Sequence, residues 1–167
     1  MDDNRKLRIG NGIAIVVLVL NWMLYFWNLF GEVSQLVFAL CVILFVLFTV
    51  MHFALLQKDD TYRLSMSLSE LPARVKWLFL LFTGVALCSV LYSLSLTADG
   101  PAKMENGLHW IVSHGEKVRQ ISEAEFIRCT RAERTMVISA FLMINSFTFA
   151  YYSKVKAQKN ETCGEEL

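Results

Sequence analysis

The sequence predicts an all-α membrane protein: a four-transmembrane-helix bundle with a small extracytoplasmic β-hairpin and a helix extension between helices three and four. Three observations predict this fold class. Four long blocks carry no charged residue, one segment of water-soluble character separates the last two blocks, and basic residues gather on one predicted side of the membrane. We expect a single polytopic domain over residues 1–157 and a disordered cytoplasmic tail over residues 158–167.

Each uncharged block is long enough to cross a bilayer. The chain is 55% hydrophobic and 19% charged, whereas soluble domains carry about 25% charged residues. Crossing the hydrocarbon core takes about 20 apolar residues. The blocks predict helices over about 9–31, 33–57, 75–98 and 122–154, with a long loop over 99–134. The first block is too long for a secretory signal and lacks small residues at a cleavage position, so we expect it to remain as a helix.

The basic residues predict the orientation of the chain. Ten of them lie before the first span, between the second and third spans, or after the fourth, namely Arg5, Lys6, Arg8, Lys58, Arg63, Arg74, Lys76, Lys154, Lys156 and Lys159. Four spans put these regions on one side, and that side should be the cytoplasm because positive charges are retained there. Both termini are therefore expected inside and the 99–134 loop outside, although this loop has six basic residues of its own. A bacterial cytoplasmic membrane is the favoured location.

The outer loop has the pattern of a hairpin followed by a helix start. Apolar and polar residues alternate on both sides of Ser113-His-Gly-Glu116, where Gly115 can take a positive φ. Ser122-Glu-Ala-Glu125 has the form of a capping box, in which the Ser122 hydroxyl caps the helix and Glu125 reaches back to the Ser122 N–H. Neither Pro nor Gly interrupts the chain from Ser122 to the end of the fourth span. One continuous helix would therefore lift its cap about 18 Å above the membrane.

Three asparagines are the most polar groups expected deep in the spans. Asn21 and Asn28 are seven residues apart and share one helical face, and Asn145 lies near the middle of the fourth span. Amides at membrane depth usually bond to neighbouring helices, so interhelical polar contacts are expected for all three. The alternative is a polar path through the membrane. Against that alternative, the four blocks lack the Asp, Glu, Lys or Arg that coupled transporters usually keep at depth.

The outer loop also holds the candidate groups for chemistry. His109, His114, Glu116, Glu123 and Glu125 lie close together in sequence, but their spacing fits no metal motif. No nucleophile–base pair or nucleotide-binding motif is found in the sequence, so we expect no catalytic residue, no metal and no cofactor. A net charge of +1 predicts no nucleic-acid partner. The four scattered cysteines predict no disulfide framework.

Three functional hypotheses follow. The favoured one is a non-enzymatic binding or regulatory protein that acts on another membrane or secreted protein, with Trp110, His114, Glu116 and Arg119 as candidate partner-binding residues. Immunity proteins against membrane-active toxins are similar in architecture alone, with no shared motif. The expected partners are the lipid bilayer and either a protein or a second copy of the chain. The alternatives are an oligomeric channel or transporter subunit, and a membrane enzyme or metal-binding protein that uses the outer His/Glu cluster.

Overall fold

The computed structural model describes residues 3–31, 33–57, 69 and 71–164, with side chains described outside 3–8, 51–57 and 158–164. The chain is mostly helical (76%). The described residues form four helices and one three-stranded antiparallel sheet. In chain order these are α1 (Asp3–Phe30), α2 (Gln35–Gln57), α3 (Ala73–Leu96), β1 (Ala102–Glu105), β2 (Leu108–Ser113), β3 (Glu116–Ile121) and α4 (Glu123–Gly164).

Three helices are long and apolar enough to cross a membrane. By length and composition these spans are Ile9–Phe30 in α1, Ala73–Leu96 in α3 and Glu123–Ala157 in α4. In α2, Gln35–Val50 counts as a shorter apolar helix within the described part of the chain. Three helices therefore support the prediction of a mostly helical protein with helices of membrane length. Whether the chain has a fourth span depends on α2.

The helix α4 is the central element of the structure. It has 42 residues, about 63 Å at 1.5 Å per residue, and it packs against both α1 and α3. Leu18 of α1, Ala86 of α3 and Leu142 of α4 meet in one buried cluster. The helix begins directly after Ser122 and continues without a break, as the absence of Pro and Gly predicts.

The helix boundaries differ from the predicted ones at several ends. Residues 158–164 continue α4, although a disordered tail was predicted there, and residues 165–167 lie outside the described part of the chain. Once a helix exists, each added residue contributes one hydrogen bond, so polar residues can extend it beyond its apolar segment. The same effect carries α1 back to Asp3. At the end of α3, Leu96 is the last helical residue, two before the predicted end, and Thr97 is the C-cap, whose N–H still donates to Ser93 O.

The helix α2 lies at the periphery. Phe45, together with Val33 just before the helix, joins Leu24, Tyr25 and Ile138 in a buried cluster. Most of the large apolar side chains described between Gln35 and Val50 are exposed, including Leu36, Leu40, Ile43, Leu44, Leu47 and Val50. An apolar surface of this kind is expected of a helix that faces lipid.

The predicted hairpin has a third strand. The strand order is β1-β2-β3, with Ala102 opposite Ile111 in one ladder and His109 opposite Ile121 in the other. The extra strand was missed although Asn106-Gly107, which joins β1 to β2, is among the strongest short hairpin signals in any sequence. Both residues of that turn have positive φ, 53° and 77°.

Candidate functional site

The outer sheet is held in shape by two tight turns. Asn106-Gly107 and His114-Gly115 each place two consecutive residues at positive φ, and such turns match the right-handed twist of the paired strands. His114 has a φ of 51°, a left-handed conformation that is uncommon for residues other than Gly and in which Asn, Asp and His are enriched. His114, which was predicted to bind a partner, therefore lies in a turn, and its side chain is exposed.

One side of the sheet is packed against the first turns of α4. Ile111 and Ile121 are buried together with Cys129, and Phe126 packs against the same cluster. The His109 ring stacks on Phe126, with 4.4 Å between the ring centroids. This packing fixes the sheet to the part of α4 that precedes its uncharged segment.

Polar contacts complete the attachment of the sheet. The Glu125 N–H donates to Ser122 Oγ at 3.2 Å, which is the helix cap. The Glu125 carboxylate accepts from Arg119 Nη2 at 2.5 Å, and not from the Ser122 N–H that a full capping box would use. Arg119 also lies 3.8 Å from Asp99, in the turn after α3. The hydrogen bond that Arg119 donates to Glu125 raises the pKa of Arg119, so the charged form is favoured. The Ala102 N–H, at the start of β1, donates to Glu133 on α4.

A β-bulge decides which residues share the other side of the sheet. The ladder register shifts between Ile111 and Val112, so the pairing changes from Ile111–Arg119 to Val112–Lys117. Residues opposite each other in an antiparallel pair point to the same side, and the extra residue of the bulge turns Lys117 toward the side of Trp110. We call this side, which faces away from α4, the sheet's outer face; it comprises Lys103, Glu105, Leu108, Trp110, Val112, Lys117 and Gln120.

The outer face combines an aromatic ring with fixed charges. Lys117 Nζ lies 5.4 Å from the Trp110 ring centroid and 2.9 Å from a Glu105 carboxylate oxygen. The Trp110 Nε1 atom is buried and has no hydrogen-bond acceptor among the described residues. Leu108, 46% exposed, lies two residues before Trp110 on β2 and therefore on the same face. Of these three residue types, tryptophan is enriched at protein interfaces, whereas lysine is depleted there.

The four predicted partner-binding residues do not form one surface. Trp110 lies on the outer face, whereas the register puts Arg119 and Glu116 on the side of Ile111, where Arg119 ties the sheet to Glu125. The alternation along β2 already put Leu108 on the side of Trp110, but Lys117 was missed as a member of that surface. Strict alternation along β3 would put Lys117 on the opposite side, and a bulge of this kind has no reliable sequence signal.

The outer His/Glu cluster is dispersed in the structure. His109 faces Phe126, His114 is in a turn, and Glu125 is paired with Arg119. The described residues contain no group of three or more His, Cys, Asp or Glu side chains placed to hold a metal ion.

The three predicted interhelical asparagines are all buried, but their contacts differ. Asn28 Nδ2 donates to Arg131 O at 3.1 Å and to Thr135 Oγ1 at 2.9 Å, joining α1 to α4. The amide atoms of Asn21 and Asn145 have no hydrogen-bond partner among the described residues. Among the described residues, therefore, neither amide joins two helices through a hydrogen bond.

A cleft lies where α1, the start of α2 and α4 meet, and we call it the outer cleft. Its volume is about 340 Å³. The residues that line it are Asn28, Gly31, Val33, Ser34, Gln35, Phe126, Ile127, Thr130, Arg131 and Arg134. In the sequence, Arg131 and Arg134 counted only as basic residues near the start of the fourth span. The folded structure shows that they line a cleft together with the start of α2.

The chain matches no family of known proteins, and neither a curated protein nor a solved structure is similar to it.

Proposed function

We propose that this chain is a small integral membrane protein that binds another membrane or secreted protein through the sheet's outer face and catalyses no reaction. The observation that carries this proposal is a sheet with one side packed on α4 and the other side open around Trp110. A rigid, pre-formed surface loses little conformational freedom on binding.

The proposed setting is a four-span topology with both termini in the cytoplasm. It is supported by three helices of membrane length, by the continuous apolar sequence of α2, and by the ten basic residues that flank the spans on one side. In this topology the first twelve residues of α4 stand outside the hydrocarbon layer and carry the sheet. An immunity-type protein that recognises a membrane-active toxin is one concrete form of this function.

Site-specific photo-crosslinking in living cells tests the proposal. A benzophenone amino acid at position 108 or 110 is expected to capture the same protein from both positions. The control is position 123, which is exposed at the start of α4 but lies outside the outer face. Capture from all three positions alike would contradict a site on the outer face.

The captured protein then allows a quantitative test with purified components. Leu108→Ala and Lys117→Glu are expected to weaken its affinity by about tenfold each, because a few central residues carry most of the binding energy of an interface. Both side chains are on the exposed side of the sheet, so the fold should be retained, as circular dichroism can verify. Unchanged affinity in both variants would overturn the proposal.

A channel or transporter subunit is the second candidate function. The buried, unpaired amides of Asn21 and Asn145 favour it, because polar groups at membrane depth often line a path for water or ions. It predicts a flux in liposomes that Asn145→Leu abolishes, whereas a protein-binding role predicts no such flux.

A further inference from the structure

The outer cleft has the position of a lipid headgroup site. Arg134 directly precedes the uncharged segment 135–153 of α4, so the cleft sits where charged residues give way to apolar ones. On α1, Trp27 and Phe30 are 53% and 80% exposed near the same end. Amphipathic rings such as that of Trp27 are enriched at the headgroup level, at the ends of apolar helices.

The cleft is electropositive within the described part of the chain. Arg131 and Arg134 are three residues apart on α4, which places them on one face of the helix. No carboxylate of a described residue lies within ion-pair distance of either guanidinium. The beginning of α2, Ser34 and Gln35, lines the opposite wall, and the first N–H groups of a helix carry partial positive charge.

The donors around the cleft are held in place. Arg134 Nη1 donates to Val33 O at 2.5 Å, and its guanidinium lies 5.8 Å from the Phe38 ring centroid. A guanidinium has five N–H donors, so most of those of Arg134 stay available to a ligand. Thr130 Oγ1 is buried in the same wall and has no hydrogen-bond partner among the described residues. Ser34 Oγ already accepts the Val37 N–H and so fixes the start of α2.

We propose that the outer cleft binds a phosphate group, with the guanidinium groups of Arg131 and Arg134 as its main ligands and the start of α2 closing the other side. Planar guanidinium groups match phosphate oxygens in paired hydrogen bonds. The phosphate can belong to a membrane phospholipid or to a soluble phosphate compound. This inference needs membrane insertion alone and is independent of the protein-binding role of the outer face.

The test uses the full-length protein, purified in detergent and freed of lipid. Binding of phosphatidylglycerol is measured by native mass spectrometry beside diacylglycerol with the same acyl chains, and inorganic phosphate is titrated separately. Arg131→Gln and Arg134→Gln are each expected to weaken phosphate-dependent binding by about tenfold or more, since each removes charge-assisted hydrogen bonds to the phosphate. Arg131→Gln is the cleaner variant, because Arg134 also supports the turn at Val33.

Arg128→Gln is the matched control, because it removes the same charge from the same helix at an exposed position outside the cleft. Binding of phosphatidylglycerol that depends on Arg131 supports a lipid as the source of the phosphate. If only the binding of inorganic phosphate depends on Arg131, the natural ligand is a soluble phosphate compound. The proposal would be overturned if Arg128→Gln and Arg131→Gln lost equal affinity, or if Arg131→Gln lost none. A failed photo-crosslink from the outer face would leave this result unaffected.

Discussion

Asn28 on α1 and Asn145 on α4 are both buried amides. We expect them to affect stability in opposite directions, because only Asn28 has hydrogen-bond partners among the described residues. Asn28 connects α1 to α4 through two hydrogen bonds, one of them to Thr135. Asn145 is 1% exposed and neither of its amide atoms has a partner among the described residues. A buried amide without partners is destabilising relative to an apolar side chain of similar shape.

Leucine has as many side-chain heavy atoms as asparagine, so exchanging each asparagine for leucine separates these cases. Asn28→Leu is expected to lower the free energy of unfolding by about 1–2 kcal/mol, because two hydrogen bonds are lost. Asn145→Leu is expected to leave it unchanged or raise it by about 1 kcal/mol. Reversible unfolding in mixed detergent micelles provides the measurement. A loss for Asn145→Leu equal to that for Asn28→Leu would show that the Asn145 amide has a stabilising role.

At the scale of single elements, the turn that joins α3 to β1 packs closely against β2. Gly100 has a φ of +123°, and a Cβ built there would lie 2.3 Å from Val112 O. The next residue, Pro101, accepts a hydrogen bond from the Val112 N–H at 3.0 Å. The turn is thus pressed against β2, and no side chain fits at position 100.

Gly100→Ala is expected to lower the free energy of unfolding by about 2 kcal/mol or more, from backbone strain and from the clash with Val112. Gly12→Ala in α1 is the control, since its Cβ would meet no atom within 4 Å and alanine favours helix by about 1 kcal/mol. Thermal unfolding and proteolysis of the outer segment report both effects. Similar stability in the two variants would contradict the close approach at Gly100.

At the scale of the whole molecule, α4 links the two proposed sites. Its first turns carry the sheet on Phe126 and Cys129, and Arg131 and Arg134 on the same extension line the outer cleft. Both sites therefore lie at one end of the molecule, and the orientation of α4 decides to which compartment they are exposed.

Thiol labelling tests that orientation. In a chain without the native cysteines, Glu116→Cys is expected to react with a membrane-impermeant maleimide on intact cells, because position 116 is exposed on the outer sheet. A chain that keeps Cys163 alone should react only after the membrane is permeabilised. The reverse pattern would invert the topology, and labelling of both thiols from one side would exclude a spanning α4.

Several elements follow from the sequence alone. Long uncharged blocks can be buried only in lipid or in a large core, so the helices around Ile9–Phe30 and Ala73–Leu96 were predictable to within a few residues at most ends. The helix start after Ser122 was predictable from the capping sequence, because capping depends on residues within one turn. The hairpin was predictable for the same reason, and the strand before Asn106-Gly107 carried a signal that was missed.

The sites required the tertiary structure. The register shift in β3 puts Lys117 beside Trp110, and the antiparallel packing of α1 on α4 gives Asn28 its partners while Asn145 has none within the described residues. The outer cleft likewise needs the start of α2 to meet Arg131 and Arg134, about 100 residues later in the chain. Hydropathy and turn signals depend on neighbours along the chain, whereas these sites join side chains that only helix packing and strand pairing bring together.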